Sequence, residues 1–234
     1  MSAEEFFDNT IEPSEIKIDN VIGDNACLYR AVANSLYFNS PFRTISTIIR
    51  KKIFNKNKKV DDIYGEYSDD QDEFARNIQE LILEYVKSNK FKKIKMFGDM
   101  EIVNLIKLFH NIEYDEYIEI YDIFAGDYCD NIQIDDRWGS ILELYIISDI
   151  FKIPIIIFNS QKWDFVKNKI VNGKISRNRC EKNVRLRISS IIGKEYLNYN
   201  NPICLIWKIL NKSGHYMAAY PYSVNNIKKQ IDNI

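Results

Sequence analysis

Glycine, proline, cysteine and histidine are all scarce in this chain of 234 residues, which has 8 Gly, 5 Pro, 4 Cys and 2 His. The cysteines stand far apart, at positions 27, 129, 180 and 204, and no two of them form a C-x-x-C pair. Zinc sites are built from such pairs, so we expect no metal site. So few, widely spaced cysteines also argue against a disulfide framework, and we expect free thiols in a reducing compartment.

A dominant charge and a long apolar segment are also missing. Lys+Arg number 32 against 33 Asp+Glu, so no basic field favours nucleic acid as a partner. No apolar run approaches the ~18 residues of a membrane span, and the start of the chain does not resemble a signal peptide. We therefore expect a cytoplasmic protein that does not bind membranes. The abundance of Ile, Asn, Lys and Tyr is typical of an AT-rich source, such as a large DNA virus, where the location would be the host cytoplasm or the virion.

The apolar pattern changes from helical to strand-like along the chain, which predicts an α+β domain with a helical N-terminal half packed on a small central sheet. The predicted helices cover residues 27–38, 41–54, 70–88, 99–109 and 138–151. The predicted strands cover 155–158, 203–210 and 215–220, with hairpin strands between 161 and 187. We expect an irregular lead-in over 1–20, one catalytic domain over 21–222 and a polar tail over 223–234.

A cysteine stands where a turn of small and polar residues, 23–26, leads into the first predicted helix. A thiol in that place feels the positive end of the helix dipole, which favours the reactive thiolate. The backbone N–H groups of the same turn could hold an oxyanion. Cys27 is therefore a candidate nucleophile. The alternative is that Cys27 is one more buried thiol on an apolar helix face.

The two histidines differ in their surroundings. His215 begins a predicted strand after a glycine turn, which would hold its ring at the rim of a sheet and suits a general base. His110 ends an apolar helix and fits either the C-terminal end of the helix dipole or a packed ring. A purely structural role for His215 is the alternative if Cys27 is not a nucleophile.

Three segments, taken together and in order, resemble the ovarian-tumour (OTU) family of cysteine proteases, which remove ubiquitin. The first matches the nucleophile motif of that family at Asp24 and at Cys27-Leu28-Tyr29-Arg30-Ala31-Val32. The second is similar to its Trp-Gly-Gly-x-x-Glu-Leu block, at Trp138-Gly139-Ser140-Ile141-Leu142-Glu143-Leu144, followed by Ser148 and Pro154-Ile155. The third is an apolar strand over 203–210 followed by His215-Tyr216.

The resemblance implies a papain-like α+β fold and a thiol protease acting as a deubiquitinase. Cys27 would be the nucleophile and His215 the base, while the backbone of Asn25, Ala26 and Cys27 would form the oxyanion hole. The partner would be ubiquitin or polyubiquitin chains, without a cofactor, and we expect a monomer. Substrate-binding residues are not predicted.

Two positions depart from the family pattern. Asn25-Ala26 replaces the usual Gly-Asn/Asp, which alters the turn before the cysteine. Met217 stands where many members carry an Asn or Asp that orients the histidine, so Asp24 becomes the first candidate for that role. Two alternatives stay open: a catalytically impaired ubiquitin-binding protein, and a thiol hydrolase of papain-like or transglutaminase-like type with another acyl substrate. If the chain is such an enzyme, we expect the Cys27 sulfur and the His215 ring to lie within hydrogen-bonding distance of each other at an open groove.

Overall fold

The computed structural model describes residues 10–11, 16–19, 21, 26–38, 69–126, 139–160, 170–171, 174–175, 186–197, 201–210 and 213–221. The helices in these ranges are α1 (Cys27–Phe38), α2 (Asp69–Ser88), α3 (Ile102–His110), α4 (Tyr114–Gly126) and α5 (Ile141–Phe151). The strands are β1 (Thr10–Ile11), β2 (Ile16–Asp19), β3 (Lys93–Ile94), β4 (Met100–Glu101), β5 (Ile155–Ser160), β6 (Ile170–Val171), β7 (Lys174–Ile175), β8 (Leu186–Ile192), β9 (Ile203–Leu210) and β10 (Ser213–Pro221). Two short 3-10 turns cover Lys95–Phe97 and Lys194–Tyr196.

The main sheet has six strands in the order β1-β8-β5-β9-β10-β2. At its centre β5 runs parallel to β9, whereas the other neighbouring strands are antiparallel. The central strands are continuous apolar runs because both faces of the sheet are covered. Two small two-stranded pairs, β3-β4 and β6-β7, lie outside this sheet.

The helices form the larger core on one face of the sheet. Alternate residues of the central strands, such as Ile203, Leu205 and Ala218, belong to that core together with the buried faces of all five described helices. The residues between them, such as Cys204 and Met217, belong to a second, smaller cluster on the other face. The helix α1 packs against both β9 and β10, which places its N-terminus beside the last two strands of the chain.

The start and the end of α5 are both determined locally. The Ser140 hydroxyl accepts from the N–H of Leu142, and Glu143 accepts from the N–H of Ser140, which is a capping box. At the other end Lys152 adopts a left-handed conformation with a φ of 54°. Pro154 then prevents the helix from continuing, and β5 follows directly.

Most of the predicted elements are confirmed. The helices predicted at 27–38, 70–88, 99–109 and 138–151 correspond to α1, α2, α3 and α5, and the three predicted strands correspond to β5, β9 and β10. The helix predicted over 41–54 lies outside the described residues. The α+β class, with helices packed on a central sheet, is as predicted.

The first 20 residues and the segment before β9 were predicted less well. The sequence predicts an irregular lead-in with a short docked segment over 6–11; β1 lies at the end of that segment and pairs with β8, whereas the irregular structure is wrong for β2, which pairs with β10. The predicted hairpin is present as β6-β7, but it forms a separate pair instead of the sheet edge. The strand β8, between β1 and β5, was missed. The domain boundaries at 20 and 222 stay a prediction, and no helix among the described residues is apolar and long enough to cross a bilayer.

Candidate active site

Cys27 is the first residue of α1. The N–H of Arg30 donates to the Ala26 carbonyl at 3.0 Å, so the helix begins immediately after Ala26 and the cysteine lies in its first turn. The first N–H groups of a helix point away from it and favour a negative charge there. Cys27 therefore lies at the positive end of a helix dipole, as the sequence predicts. Asp24 and Asn25 lie outside the described residues, so their predicted roles stay predictions.

His215 lies near the start of β10, where Lys208 of β9 is its direct partner in the antiparallel pair. The strand β2 pairs with β10 only from Ala218 onward, so among the described residues no strand covers the other side of β10 at His215. Residues 20–26 connect the end of β2 to α1. The strand β2 therefore ends beside Ala218, three residues along β10 from His215, shortly before α1 begins in the chain.

A hydrogen bond fixes the position of α1 along the sheet. The N–H of Cys204 donates to the Ser35 hydroxyl at 3.1 Å. Ser35 lies in the C-terminal half of α1 and Cys204 near the start of β9, so this hydrogen bond holds the later part of the helix beside the first residues of that strand.

The electrostatics agree with this placement. Burial, and after it the charge of Cys27, raises the pKa of Tyr216, the residue that follows His215. The thiol of Cys27 is therefore close enough to the start of β10 to act on that strand. The fold brings together the two elements that carry the predicted nucleophile and base.

The side chain of His215 and the helix α1, which carries Cys27, lie on opposite faces of the sheet. Tyr216 belongs to the core that contains α1, together with Ala218. Since side chains alternate along a strand, His215 shares the opposite face with Met217. The His215 side chain therefore extends from the face of β10 opposite to the one that packs on α1.

The site is more enclosed than the sequence predicts. Cys27 is 3% exposed and His215 is 4% exposed, whereas the sequence analysis expected an open groove. The physical reason is local: Ala26, Leu28 and Tyr29, which flank the cysteine, all belong to the core. A substrate would have to approach Cys27 through a narrow opening.

The partner of His215 across the strand pair is a residue that the sequence analysis missed. Burial lowers the pKa of Lys208 to about 8. Side chains directly opposite each other in an antiparallel pair extend from the same face of the sheet, so Lys208 is a neighbour of His215. The pairing could not be read from the sequence because it depends on the register of β9 and β10.

The other described cysteine is structural. Cys204 lies in the middle of β9 with no exposed surface, and burial raises the pKa of its thiol. Buried apolar surroundings make a thiol unreactive. Cys204 is therefore not a second candidate nucleophile, and Cys129 and Cys180 lie outside the described residues.

Gly139 brings the second motif next to the nucleophile. A Cβ at position 139 would lie 2.2 Å from Cδ2 of Leu28, the residue after Cys27. Only glycine permits this close approach, since Leu28 is 1% exposed and has no free space to move into. The turn before α5 therefore packs directly on the first turn of α1.

A buried ion pair lies behind that turn. Nε2 of His110 is 2.8 Å from Oε1 of Glu143, whose side chain has no exposed surface. The sequence analysis placed His110 at a helix C-terminus, which is confirmed, but did not predict the pairing. The Ser140-x-x-Glu143 capping box was the available signal, since it is a recognisable pattern before an apolar helix. Among the described residues no group of three His, Cys, Asp or Glu side chains could hold a metal ion.

Comparisons with solved structures give distant similarities. The OTU domain protease of Qalyub virus is 15% identical over 93% of this chain and 97% of its own, with a TM-score of 0.46. The OTU domain of OTUD1 is 16% identical over 88% of this chain and 85% of its own, with a TM-score of 0.40. An OTU deubiquitinase from Wolbachia pipientis wMel, solved bound to ubiquitin, is 12% identical over 89% of this chain and 98% of its own, with a TM-score of 0.41. At these TM-scores the likeness is too distant to bear on the activity of this chain.

The family comparison is direct. A search of curated proteins finds no match. The model of the family described as OTU-like cysteine protease, however, matches residues 22–216, which include both Cys27 and His215. The chain belongs to the OTU-like cysteine protease family.

Proposed function

We propose that this protein is a deubiquitinase that hydrolyses isopeptide bonds at the C-terminus of ubiquitin. The observation that carries the proposal is that α1, which begins at Cys27, packs against β10, the strand that holds His215. Membership of the OTU-like cysteine protease family supports the choice of substrate. The same family membership supports Cys27 as the nucleophile and His215 as the general base.

The reaction would proceed through a thioester. His215 takes the proton of the Cys27 thiol, and the thiolate attacks the carbonyl carbon of the last glycine of ubiquitin. Backbone N–H groups of Cys27 and of the preceding turn, 24–26, hold the oxyanion, each donor contributing about 3 kcal/mol. His215 then protonates the leaving lysine amine as the C–N bond breaks. Water hydrolyses the thioester, which frees the ubiquitin carboxylate and restores the thiol, so no step requires a metal or an organic cofactor.

The third residue of the site must come from outside the strand. Met217, at the position where many family members carry Asn or Asp, is 1% exposed and belongs to the apolar cluster on its face. A thioether is a weak acceptor and cannot orient an imidazole as a carboxylate does. We assign the orienting role to Asp24, which comes three residues before the nucleophile.

A second function is favoured by specific observations. Met217 provides no orienting carboxylate, and Cys27 is only 3% exposed. A protein of this family with both features could bind ubiquitin without cleaving it. Catalysis and binding therefore have to be measured separately.

The test uses a ubiquitin probe with a C-terminal electrophile on the full chain. We expect one covalent adduct with the wild type, none with Cys27→Ala, and an unchanged adduct with the control Cys204→Ala, whose thiol is buried in β9. An adduct that survives Cys27→Ala would refute the assignment of the nucleophile. Binding of ubiquitin without an adduct would favour the non-catalytic function. Turnover of other acyl donors, without any reaction with ubiquitin, would favour a different thiol hydrolase.

A further inference from the structure

Glu143 is a buried carboxylate with hydrogen-bond donors from three elements. It accepts from Nε2 of His110 on α3 at 2.8 Å and from the hydroxyl of Tyr117 on α4 at 2.9 Å. Its second oxygen accepts from the N–H and from the hydroxyl of Ser140, both at 2.6 Å. A fully buried charge is costly unless it is paired and hydrogen-bonded, and here both conditions are met.

A chain of tyrosines links this carboxylate to the helix of the nucleophile. Tyr117 stacks on Tyr121 with ring centroids 4.5 Å apart. The hydroxyl of Tyr121 is 2.6 Å from that of Tyr29 on α1. Tyr29 lies two residues after Cys27, so a buried chain of contacts runs from Glu143 through the three tyrosines to the first turn of α1.

The charge of Glu143 also reaches the candidate site. Burial first, and then the charges of Cys27 and Glu143, raise the pKa of Tyr216 on β10. Tyr29 responds to burial and to the same two charges. Both charges thus act on the same two tyrosines, and an uncompensated anion at Glu143 would oppose a thiolate at Cys27.

His110 supplies the compensating positive charge. Burial alone would lower the pKa of His110, but the charge of Glu143 and the hydrogen bond to it outweigh burial, so the pKa is raised. In turn, burial would raise the pKa of Glu143, but His110 and Ser140 lower it to about 2. The pairing therefore favours the ionised carboxylate together with the protonated imidazole, a pair without net charge.

We propose that His110 and Glu143 are a positioning pair for Cys27: the carboxylate holds the Ser140 turn and the tyrosine chain against α1, and the imidazolium keeps the carboxylate from opposing the thiolate. The proposal rests on the proposed function only in taking Cys27 as the reactive thiol. The titratable groups that face the pair come from three elements, namely Tyr29 on α1, Tyr117 and Tyr121 on α4, and Tyr216 on β10.

The experiment measures how fast iodoacetamide alkylates Cys27 as a function of pH, with the Cys27 peptide followed by mass spectrometry. The variants of the full chain are His110→Gln, Glu143→Gln and the double variant. Glutamine keeps an amide that can donate to Glu143 or accept from Tyr117 and Ser140, but it removes the charge. We expect His110→Gln to move the alkylation midpoint upward by about one pH unit, which is roughly a tenfold loss of thiolate near neutral pH.

The double variant separates electrostatics from structure. Because it removes both charges, we expect it to restore the wild-type midpoint, whereas a merely structural role would make it as defective as the single variant or worse. The matched control is Asp149→Asn, which removes another carboxylate of α5 that accepts from Lys92 and should leave the midpoint unchanged. An unchanged midpoint in His110→Gln, or no rescue in the double variant, would overturn the proposal.

The proposal would also be overturned if Cys27 did not react below about pH 10 in any variant, since there would then be no thiolate to position. The assay contains no ubiquitin. If the protein did not react with the ubiquitin probe but showed the predicted pH shift and rescue, the proposed function would be refuted and the proposal for His110 and Glu143 would stand.

Discussion

The substitution Gly214→Ala tests how tightly the start of β10 is packed next to His215. A Cβ at position 214 would lie 1.6 Å from Cη2 of Trp207 and 2.2 Å from its Cζ2. These atoms are the far end of a rigid indole, which also packs on the ring of Tyr216 with centroids 4.5 Å apart. Either the indole leaves that ring or the backbone before His215 moves.

The magnitude follows from three contributions. Overpacking of this kind typically costs about 1–3 kcal/mol. Loss of the aromatic contact between Trp207 and Tyr216 would add about 0.5–1.5 kcal/mol if the indole swings away. In the opposite direction, alanine restricts the unfolded chain and stabilises by about 0.4–1 kcal/mol where it fits. We therefore expect Gly214→Ala to lower the free energy of unfolding by about 1–3 kcal/mol, whereas a site with room for the methyl group would show a gain.

The assay is urea unfolding of four proteins: wild type, Gly214→Ala, Trp207→Leu and the double variant. Since leucine lacks the distal ring atoms, Gly214→Ala should cost much less in the Trp207→Leu background than in the wild type, which gives a coupling energy of the same order as the clash. The reasoning is refuted if Gly214→Ala is as stable as the wild type, or if its cost is the same in both backgrounds. Slower labelling by the ubiquitin probe in Gly214→Ala would show that the displacement reaches His215.

Two further predictions concern the site and its buried pair. Asp24→Ala should slow probe labelling by tenfold or more and leave the urea midpoint nearly unchanged if Asp24 orients His215; labelling at the wild-type rate would exclude that role. The raised pKa of His110 means that its stabilising contribution is complete below its ordinary value of 6.5 and is lost as the pH rises through the folded value. The lowered pKa of Glu143 means that its contribution is complete above 4.5 and is lost toward about 2. Urea unfolding between pH 5 and 9 should therefore show a loss of stability on the alkaline side that His110→Gln removes; an identical pH dependence in both proteins would contradict it.

The elements that could be predicted from the sequence have strong local signals. The helix α1 carries Leu28, Val32 and Leu36 at helical spacing, and β9 is a run of apolar residues, so both were predicted with the correct bounds. The strands β1 and β2 are two and four residues long, and β2 has the sequence IKID, which is too short and polar to stand out. They exist because β8 and β10 offer edges to pair with, and that is information from distant parts of the chain.

The same division applies to the candidate site. A cysteine at a helix start and a histidine after a glycine turn are local features, so Cys27 and His215 could be proposed from the residues themselves. The face of the sheet from which the His215 side chain extends depends on the register of β10 with β9, because a shift by one residue would move the ring to the other side. The enclosure of Cys27 also depends on the fold, since its neighbours Ala26, Leu28 and Tyr29 are buried in the core and Leu28 packs against Gly139, more than a hundred residues along the chain.

The pair of His110 and Glu143 shows how far local reasoning can go. The helix dipole and the Ser140 cap explain why a glutamate lies in the first turn of the apolar helix α5, as long as its carboxylate is assumed to be in contact with water. Once the structure buries that carboxylate completely, dipole and cap are not enough, because a buried anion also needs a cation within hydrogen-bonding distance. That cation is His110, the last residue of α3, which lies 33 residues before Glu143 in the sequence. A sequence pattern can indicate that Glu143 caps α5, but only burial makes the histidine necessary, and so only the fold connects the cap to the nucleophile.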